Sequence, residues 1–422
     1  MISAEKIKSF VPALLLVFLS AMSSGCSKKM SEDPFFLNPD SILFLNTSLV
    51  LLTVTAQSSN NLDTMSLISS VNLEFNMDMD ASTMNVQSAD GVCTGSIQFS
   101  TDDTFTNCIS GTLSGSGKNW TFTPFISLEE ESSYFLRVST DARTDSSTNG
   151  VTLTADYKKP FSTEDLPVLN DLVTWYKTNQ DLYKGLANGD DVTFWKNSKS
   201  ANNNTDVASW KIPEYLKDFT NGRSAVRFNA SNRDRFNTFN PNFVPPLSGS
   251  SGYTVFIVFK ADDVSRDQTI LDIVINGVFR PRFRITNDFG SLQLKSIKAD
   301  SDPLDVVSTG TLKTNNYNIA AAYTDYELNE TGIFLEDGSS FSFSEKSAPA
   351  WDTTGGTTCS NTPARNFLIG QSTNWWRSDN FDGSISDVII YNRRLSKEER
   401  ESVVCFLGRK FNIPVNNPAG CL

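Results

Sequence analysis

Histidine is absent from all 422 residues. Its absence removes Ser-His-Asp and Cys-His nucleophilic catalysis, His-containing zinc sites and imidazole general-base chemistry together. Any turnover would have to rest on carboxylates, Lys, Tyr or a hard metal ion bound by oxygen. Positive charge is also scarce, 36 Lys and Arg against 48 Asp and Glu, for a formal net charge of −12. Such a chain has no bulk-charge route to nucleic acid or to anionic lipid head groups. Extended apolar runs are missing beyond residues 10–22, and that run is too short to span a bilayer. What remains is globular material: 39% hydrophobic and 11% aromatic residues argue against disorder. The length suffices for two or three separate cores.

The apolar run follows Lys6 and Lys8 and ends in Ser23-Ser24-Gly25-Cys26, small residues suited to signal-peptidase cleavage. This tetrapeptide resembles the lipobox of bacterial lipoproteins, departing from it at Ser23, where most lipoboxes carry an aliphatic residue. The resemblance implies a signal peptide over residues 1–25 and a Cys26 whose thiol takes a diacylglyceryl group and which becomes the new N-terminus, with palmitate among its acyl chains. Residues 26–48 would then form a lipidated tether, with the membrane as partner through the anchor. Ser27, in place of the Asp that marks inner-membrane retention, implies an outer-membrane lipoprotein of the cell envelope. The alternative is an ordinary secretory signal cut near Ala21 to Ser23.

Six cysteines occur. With Cys26 set aside, Cys93, Cys108, Cys359, Cys405 and Cys421 remain, an odd number for an oxidising compartment. Cys93 and Cys108 flank a polar hairpin excursion and read as one disulfide. Cys405 and Cys421 are the next pair, tying the tail to a helix, with Cys359–Cys405 as a competing pairing.

From 49 to 165 the chain alternates apolar and polar residues in short runs between Ser, Asn, Asp, Gly and Thr clusters, the pattern of half-buried strands in a β-sandwich. Val71-Asn72-Leu73-Glu74-Phe75 and Tyr134-Phe135-Leu136-Arg137-Val138 each place three apolar side chains on one face. Leu73-Glu74-Phe75-Asn76-Met77-Asp78-Met79-Asp80, Trp120-Thr121-Phe122-Thr123-Pro124, the Ser132–Val138 strand and Pro160-Phe161-Ser162-Thr163 resemble, in order, the strands of bacterial Ig-like domains. That resemblance implies a spacer or adhesive module. Asp78, Asp80 and Asp90 read as turn residues rather than calcium ligands.

Residues 164–167 read as a polar hinge, and a second domain fills 166–422. Its strands are fuller, as in Tyr253-Thr254-Val255-Phe256-Ile257-Val258-Phe259 and Ser386-Asp387-Val388-Ile389-Ile390-Tyr391, and fit a jelly roll. One helix follows Leu395: Ser396 and Glu399 form a capping box, Val403, Leu407 and Phe411 make its apolar face, and Gly408 is a candidate early end. Leu172-Val173-Thr174-Trp175-Tyr176, Gly222-Arg223-Ser224-Ala225-Val226-Arg227-Phe228 and the segment from Phe381 through Ser396 resemble the laminin-G-like members of the concanavalin A-like lectin and glucanase superfamily. The expected fold is therefore all-β, an Ig-like sandwich followed by a concanavalin A-like jelly roll with one short C-terminal helix.

The resemblance implies that any hydrolase would carry Glu-x-Asp-x-x-Glu on one strand, and that string is absent. Asp325, Glu327 and Glu330 come nearest and read as solvated hairpin charge. Laminin-G-like domains often hold calcium near the rim, which makes Asp379, Asn380 and Asp382 candidate ligands and Ca²⁺ the one candidate cofactor. Beside them, Asn374, Trp375, Trp376 and Arg377 are candidate ligand-binding residues, an exposed Trp stacking on a sugar ring with polar neighbours. Trp175, Trp195 and Trp210 read as structural. The expectation is a non-catalytic, envelope-anchored protein that binds carbohydrate or an extracellular protein ligand. A divergent glycan-degrading enzyme and a purely structural envelope protein are the alternatives.

Overall fold

The computed structural model describes residues 51–421 apart from 59–63, 179–182, 184, 200–204, 208–210, 239–251, 276–282, 289, 297–304, 326–327, 329, 348–363, 372–378 and 417–420. Cys26, Trp210, Glu327, Cys359 and residues 374–377 thus lie outside the described residues.

Alternation builds the first sandwich. Its strands are β1 (Val54–Ser58), β2 (Thr64–Met65), β3 (Val71–Phe75), β4 (Ile97–Ser100), β5 (Gly111–Ser116), β6 (Asn119–Pro124), β7 (Ser133–Val138) and β8 (Tyr157–Thr163). They form two four-stranded sheets, β1-β3-β6-β5 and β2-β8-β7-β4, antiparallel except for the parallel β2–β8 pair. Val71, Leu73 and Phe75 are buried while Asn72 and Glu74 are exposed, and Tyr134, Leu136 and Val138 are buried from the facing sheet. Phe99 sits at the centre, its ring 5.3 Å from both Phe122 and Tyr134. Full burial of each such side chain is worth about 1.5–3 kcal/mol, which fixes the register. Cys93 and Cys108 form a disulfide with 4.9 Å between their Cα atoms. Asp80 accepts from Ser82 two residues on, a turn contact, whereas Asp90 accepts from Ser110, twenty positions away.

The second sandwich runs through β9 (Leu172–Lys177), β10 (Phe194–Trp195), β11 (Thr205–Val207), β12 (Glu214–Thr220), β13 (Arg223–Phe228), β14 (Phe236–Thr238), β15 (Gly252–Ala261) and β16 (Gln268–Ile275). It continues with β17 (Phe283–Asp288), β18 (Ser291–Ser296), β19 (Asp305–Thr311), β20 (Tyr317–Asp325), β21 (Glu330–Glu336), β22 (Phe341–Ser347), β23 (Ala364–Ile369) and β24 (Gly383–Tyr391). One sheet is ordered β10-β11-β14-β23-β16-β17-β18-β19, the other β12-β13-β24-β15-β20-β21-β22, with β9 also pairing β24. The central strands β15, β20 and β24 of the second sheet are buried on both faces, which explains their unbroken apolar runs. From β15, Tyr253, Val255, Ile257 and Phe259 enter the core between the sheets, whereas Phe256 and Val258 lie in the outer layer under the helix.

That helix, α1 (Lys397–Phe411), starts at the capping box: Glu399 N–H donates to Ser396 Oγ at 3.2 Å, and Ser396 N–H to Glu399 Oε2 at 2.8 Å. Val403, Leu407 and Phe411 are fully buried. Gly408 does not end it; the helix runs on to Phe411 and closes at Asn412 in the left-handed region. Gly408 instead makes room for the returning tail, since a Cβ there would lie 2.4 Å from Val415 and 2.9 Å from the Ile413 carbonyl. Cys405 on the helix is joined to Cys421, closing a loop over a sequence separation of 16. Replacing both cysteines by serine is expected to lower stability by about 3 kcal/mol, measured by urea denaturation.

The two sandwiches share a buried, charged junction. Residues 125–132, between β6 and β7, carry Glu130 into contact with the jelly roll, where its carboxylate lies 3.0 Å from both Lys177 and Lys410 and 3.8 Å from Arg223. Lys410 also reaches Asp387 at 2.8 Å, and Asp387 accepts from the Trp175 indole N–H at 2.9 Å. Against the desolvation of burial, Lys410, Lys177 and Arg223 hold Glu130 well below the usual carboxylate range. Residues 164–167, expected to be a hinge, are fixed: Glu164 takes both arms of the Arg409 fork at 2.9 and 2.6 Å, and Leu166 packs with Leu67, Trp175 and Phe219.

Candidate functional site

Three loops meet at one edge of the jelly roll. The first, 229–235, links β13 to β14; the second, 262–267, links β15 to β16; the third, 379–382, leads into β24. Two glycines allow the close approach. Gly370, at φ +86°, leaves the space where a Cβ would meet the Phe228 ring, and Gly383, at φ +156°, lies against the Lys260 carbonyl. Phe381 anchors the third loop in the core, its ring 6.2 Å from both Phe228 and Phe259.

Polar groups then converge above this floor. Asn380 accepts from Gln371 Nε2 at 2.7 Å and donates to the Ala230 carbonyl at 3.4 Å. Arg235 Nη1 donates to the other end of the Gln371 amide. Gln268 accepts from the Asp382 N–H at 2.9 Å and donates to the Asp263 carbonyl at 2.6 Å, joining the second loop to the third. The Asp379 carbonyl accepts from Thr269 N–H at 2.8 Å. Among the described residues, the buried acceptor Asp379 Oδ1 and the buried donor Arg235 Nε in this network have no hydrogen-bond partner. Burial pushes the Asp234 carboxyl up to about 6 despite the Asn229 N–H it accepts, with Glu214, Asp191 and Asp382 adding to the rise.

Of the residues expected here from the sequence, the structure brings Asp379, Asn380 and Asp382 to this edge, and Asn374, Trp375, Trp376 and Arg377 lie outside the described residues. The three do not make a calcium cage by themselves. Calcium takes about six to eight oxygen ligands, yet the Asn380 amide oxygen is committed to Gln371, and among the described residues no three carboxylates or other strong ligands cluster for a metal. The network also recruits Asp234, Arg235, Gln268 and Gln371, which sequence patterns did not single out; each is an isolated polar residue with no local motif around it. An edge of this kind, with a buried acceptor and a buried donor both unpaired among the described residues, suits a hydroxyl-rich or amide-rich ligand.

The nearest approach to a hydrolase motif lies at the β20–β21 turn. Asp325 and Glu330 face each other across the β20–β21 turn, and Arg394 pairs with both.

No curated protein matches the chain by sequence. Among solved structures, the carbohydrate-binding module of a Ruminococcus gnavus sialidase, bound to α2,3-sialyllactose, is 16% identical with a TM-score of 0.31, covering 37% of this chain and 83% of its own. The binding domain of botulinum neurotoxin DC in complex with SialylT is 11% identical with a TM-score of 0.35, covering 57% and 52%. A heptameric pentraxin from Limulus polyphemus is 12% identical with a TM-score of 0.29, covering 36% and 69%. These likenesses are too low to speak to ligand or activity. Residues 231–399 match the family model of the concanavalin A-like lectin/glucanases superfamily, and the second sandwich is a concanavalin A-like domain.

Proposed function

We propose that the protein is an envelope-anchored, non-catalytic lipoprotein of the outer membrane: Cys26 carries the anchor, the first sandwich is an Ig-like spacer, and the jelly roll recognises carbohydrate or an extracellular protein. The observation that carries the recognition role is the edge at 379–382, where Asp379 Oδ1 and Arg235 Nε are buried without hydrogen bonds among the described residues, in the network of the Gln371–Asn380 pair. Leaving such groups unpaired costs about 1–3 kcal/mol each, a cost that a polar ligand would relieve. Two facts support a role without turnover: the chain has no histidine, and Arg394 holds Asp325 and Glu330.

A glycan array and a panel of matrix proteins test this reading. Binding is expected to fall about tenfold or more on Asp379→Asn and on alanine exchange of one of Trp375 and Trp376, the loss of a hydrogen bond to charge or of an aromatic stacking surface. Release of reducing ends from a glycan would favour the hydrolase. Silence on both panels would favour a structural role.

A further inference from the structure

Far from that edge in the chain order of its strands, β21, β22 and the N-terminal half of α1 enclose a cavity of about 380 Å³. Its apolar lining is Phe334, Phe341 and Phe343 from the strands and Val404 from the helix. The rings of Phe334 and Phe341 lie 6.0 Å apart, and Phe343 stays 45% exposed although it is a large hydrophobic side chain.

The charges around this lining are unequally satisfied. Arg394 is divided among Asp325, Glu330 and Glu345. Glu345 also accepts from the Tyr323 hydroxyl, and Glu401 lies 3.7 Å from Lys397. Arg400 is different. It is only 7% exposed, its guanidinium rests 4.3 Å above the Tyr323 ring, and among the described residues its side chain makes one hydrogen bond, from Nη1 to the Leu395 carbonyl at 2.6 Å. Among the described residues no carboxylate forms an ion pair with it. Glu345 and Glu401 attract this guanidinium only from beyond ion-pair distance, and its planar fork is shaped for two parallel bonds to a carboxylate.

We infer that this cavity is a binding site for an amphiphilic carboxylate, whose apolar body rests on Phe334, Phe341, Phe343 and Val404 while its carboxylate is gripped by Arg400, with Lys397 at the entrance. The volume is in the lower range of small-molecule pockets, which suits a medium-length acyl chain or a single aromatic ring with a short acid arm. Glu345 and Glu401 also line the cavity, but with Arg394, Lys397 and Arg400 the lining holds three cations against these two carboxylates. The site is separate from the 379–382 edge and stands or falls independently of the recognition role proposed there.

The test uses the full chain carrying Cys26→Ala, purified without detergent, and isothermal titration calorimetry. Decanoate and 3-phenylpropionate are the two probes, with decanol and decylamine as the uncharged and cationic controls. At least one carboxylate is expected to bind about tenfold or more tightly than either control, and the tighter of the two identifies an acyl or an aromatic source. Arg400→Gln is expected to weaken that carboxylate by about tenfold or more. Because Arg400 also supports the Leu395 turn, Lys397→Gln and Phe343→Glu provide exposed changes that leave the fold intact; the first should weaken binding modestly and the second should abolish it. Failure of both carboxylates to bind at millimolar concentration, equal affinity for decanoate and decylamine, or affinity indifferent to all three exchanges would overturn the inference.

Discussion

Glu130→Ala is expected to lower the free energy of unfolding by about 3–5 kcal/mol, the usual consequence of removing one member of a buried ion network. Its carboxylate is almost fully enclosed and faces three cations, Lys177, Lys410 and Arg223. Alanine would leave Lys177 without that contact and Lys410 with Asp387 alone, in a place where water cannot take over. Urea denaturation of wild type and variant gives the difference. The pH dependence supplies a second reading. The folded-state pKa of Glu130 is depressed, so its contribution is complete above the unfolded value of about 4.3 and drains away as the pH falls below it. Glu130→Gln should therefore flatten part of the acid limb of the stability curve. An unchanged midpoint for the alanine variant and an unaltered acid limb for the glutamine variant would show that the 125–132 loop is not held by charge.

Cys26→Ala is expected to move the protein from the membrane pellet to the soluble fraction and to abolish incorporation of labelled palmitate. Each buried methylene of an acyl chain contributes about 0.8 kcal/mol, and the several chains of a lipoprotein anchor act together, so the change in partitioning should be close to complete. The exchange leaves the two sandwiches untouched, and the thermal unfolding of the released protein should match that of the parent domains. Retention of Cys26→Ala in the pellet after a high-salt wash would remove the anchor from the proposal. Protease shaving of intact cells then decides whether the jelly roll is reachable from outside.

Much of the architecture was legible in the residues because it rests on local periodicity. Strands β3, β7 and β15 alternate or run apolar in ways that dictate one or two buried faces, and the Ser396–Glu399 capping box announces α1. The Cys93–Cys108 pair was likewise readable from spacing, whereas Cys405–Cys421 was the first of two competing pairings. The junction was not. Ser127-Leu128-Glu129-Glu130-Glu131-Ser132 has the composition of an exposed turn, and nothing in that stretch signals that Glu130 meets a lysine from the end of α1. The same holds for residues 164–167, whose Glu164 becomes a clamp only once Arg409 arrives. At the candidate edge, Asp379 and Asn380 were found through the density of polar residues in one loop, whereas Gln371, Arg235 and Asp234 reach it from other parts of the chain. Gly408 misled because a glycine late in a helix signals a terminus, while here it yields space to Val415.

The Glu130–Lys410 contact joins positions 280 residues apart. Loop closure over such a distance is entropically demanding, and contacts of this kind form slowly. A chain still emerging from a ribosome or a translocation channel can complete its first sandwich, yet it cannot dock that sandwich until α1 has emerged. During this interval Trp175 and Phe219 lack Phe406 and Phe411, the helix rings they pack against. The nascent protein therefore passes through a stage with an adhesive seam, when a holding chaperone would matter most.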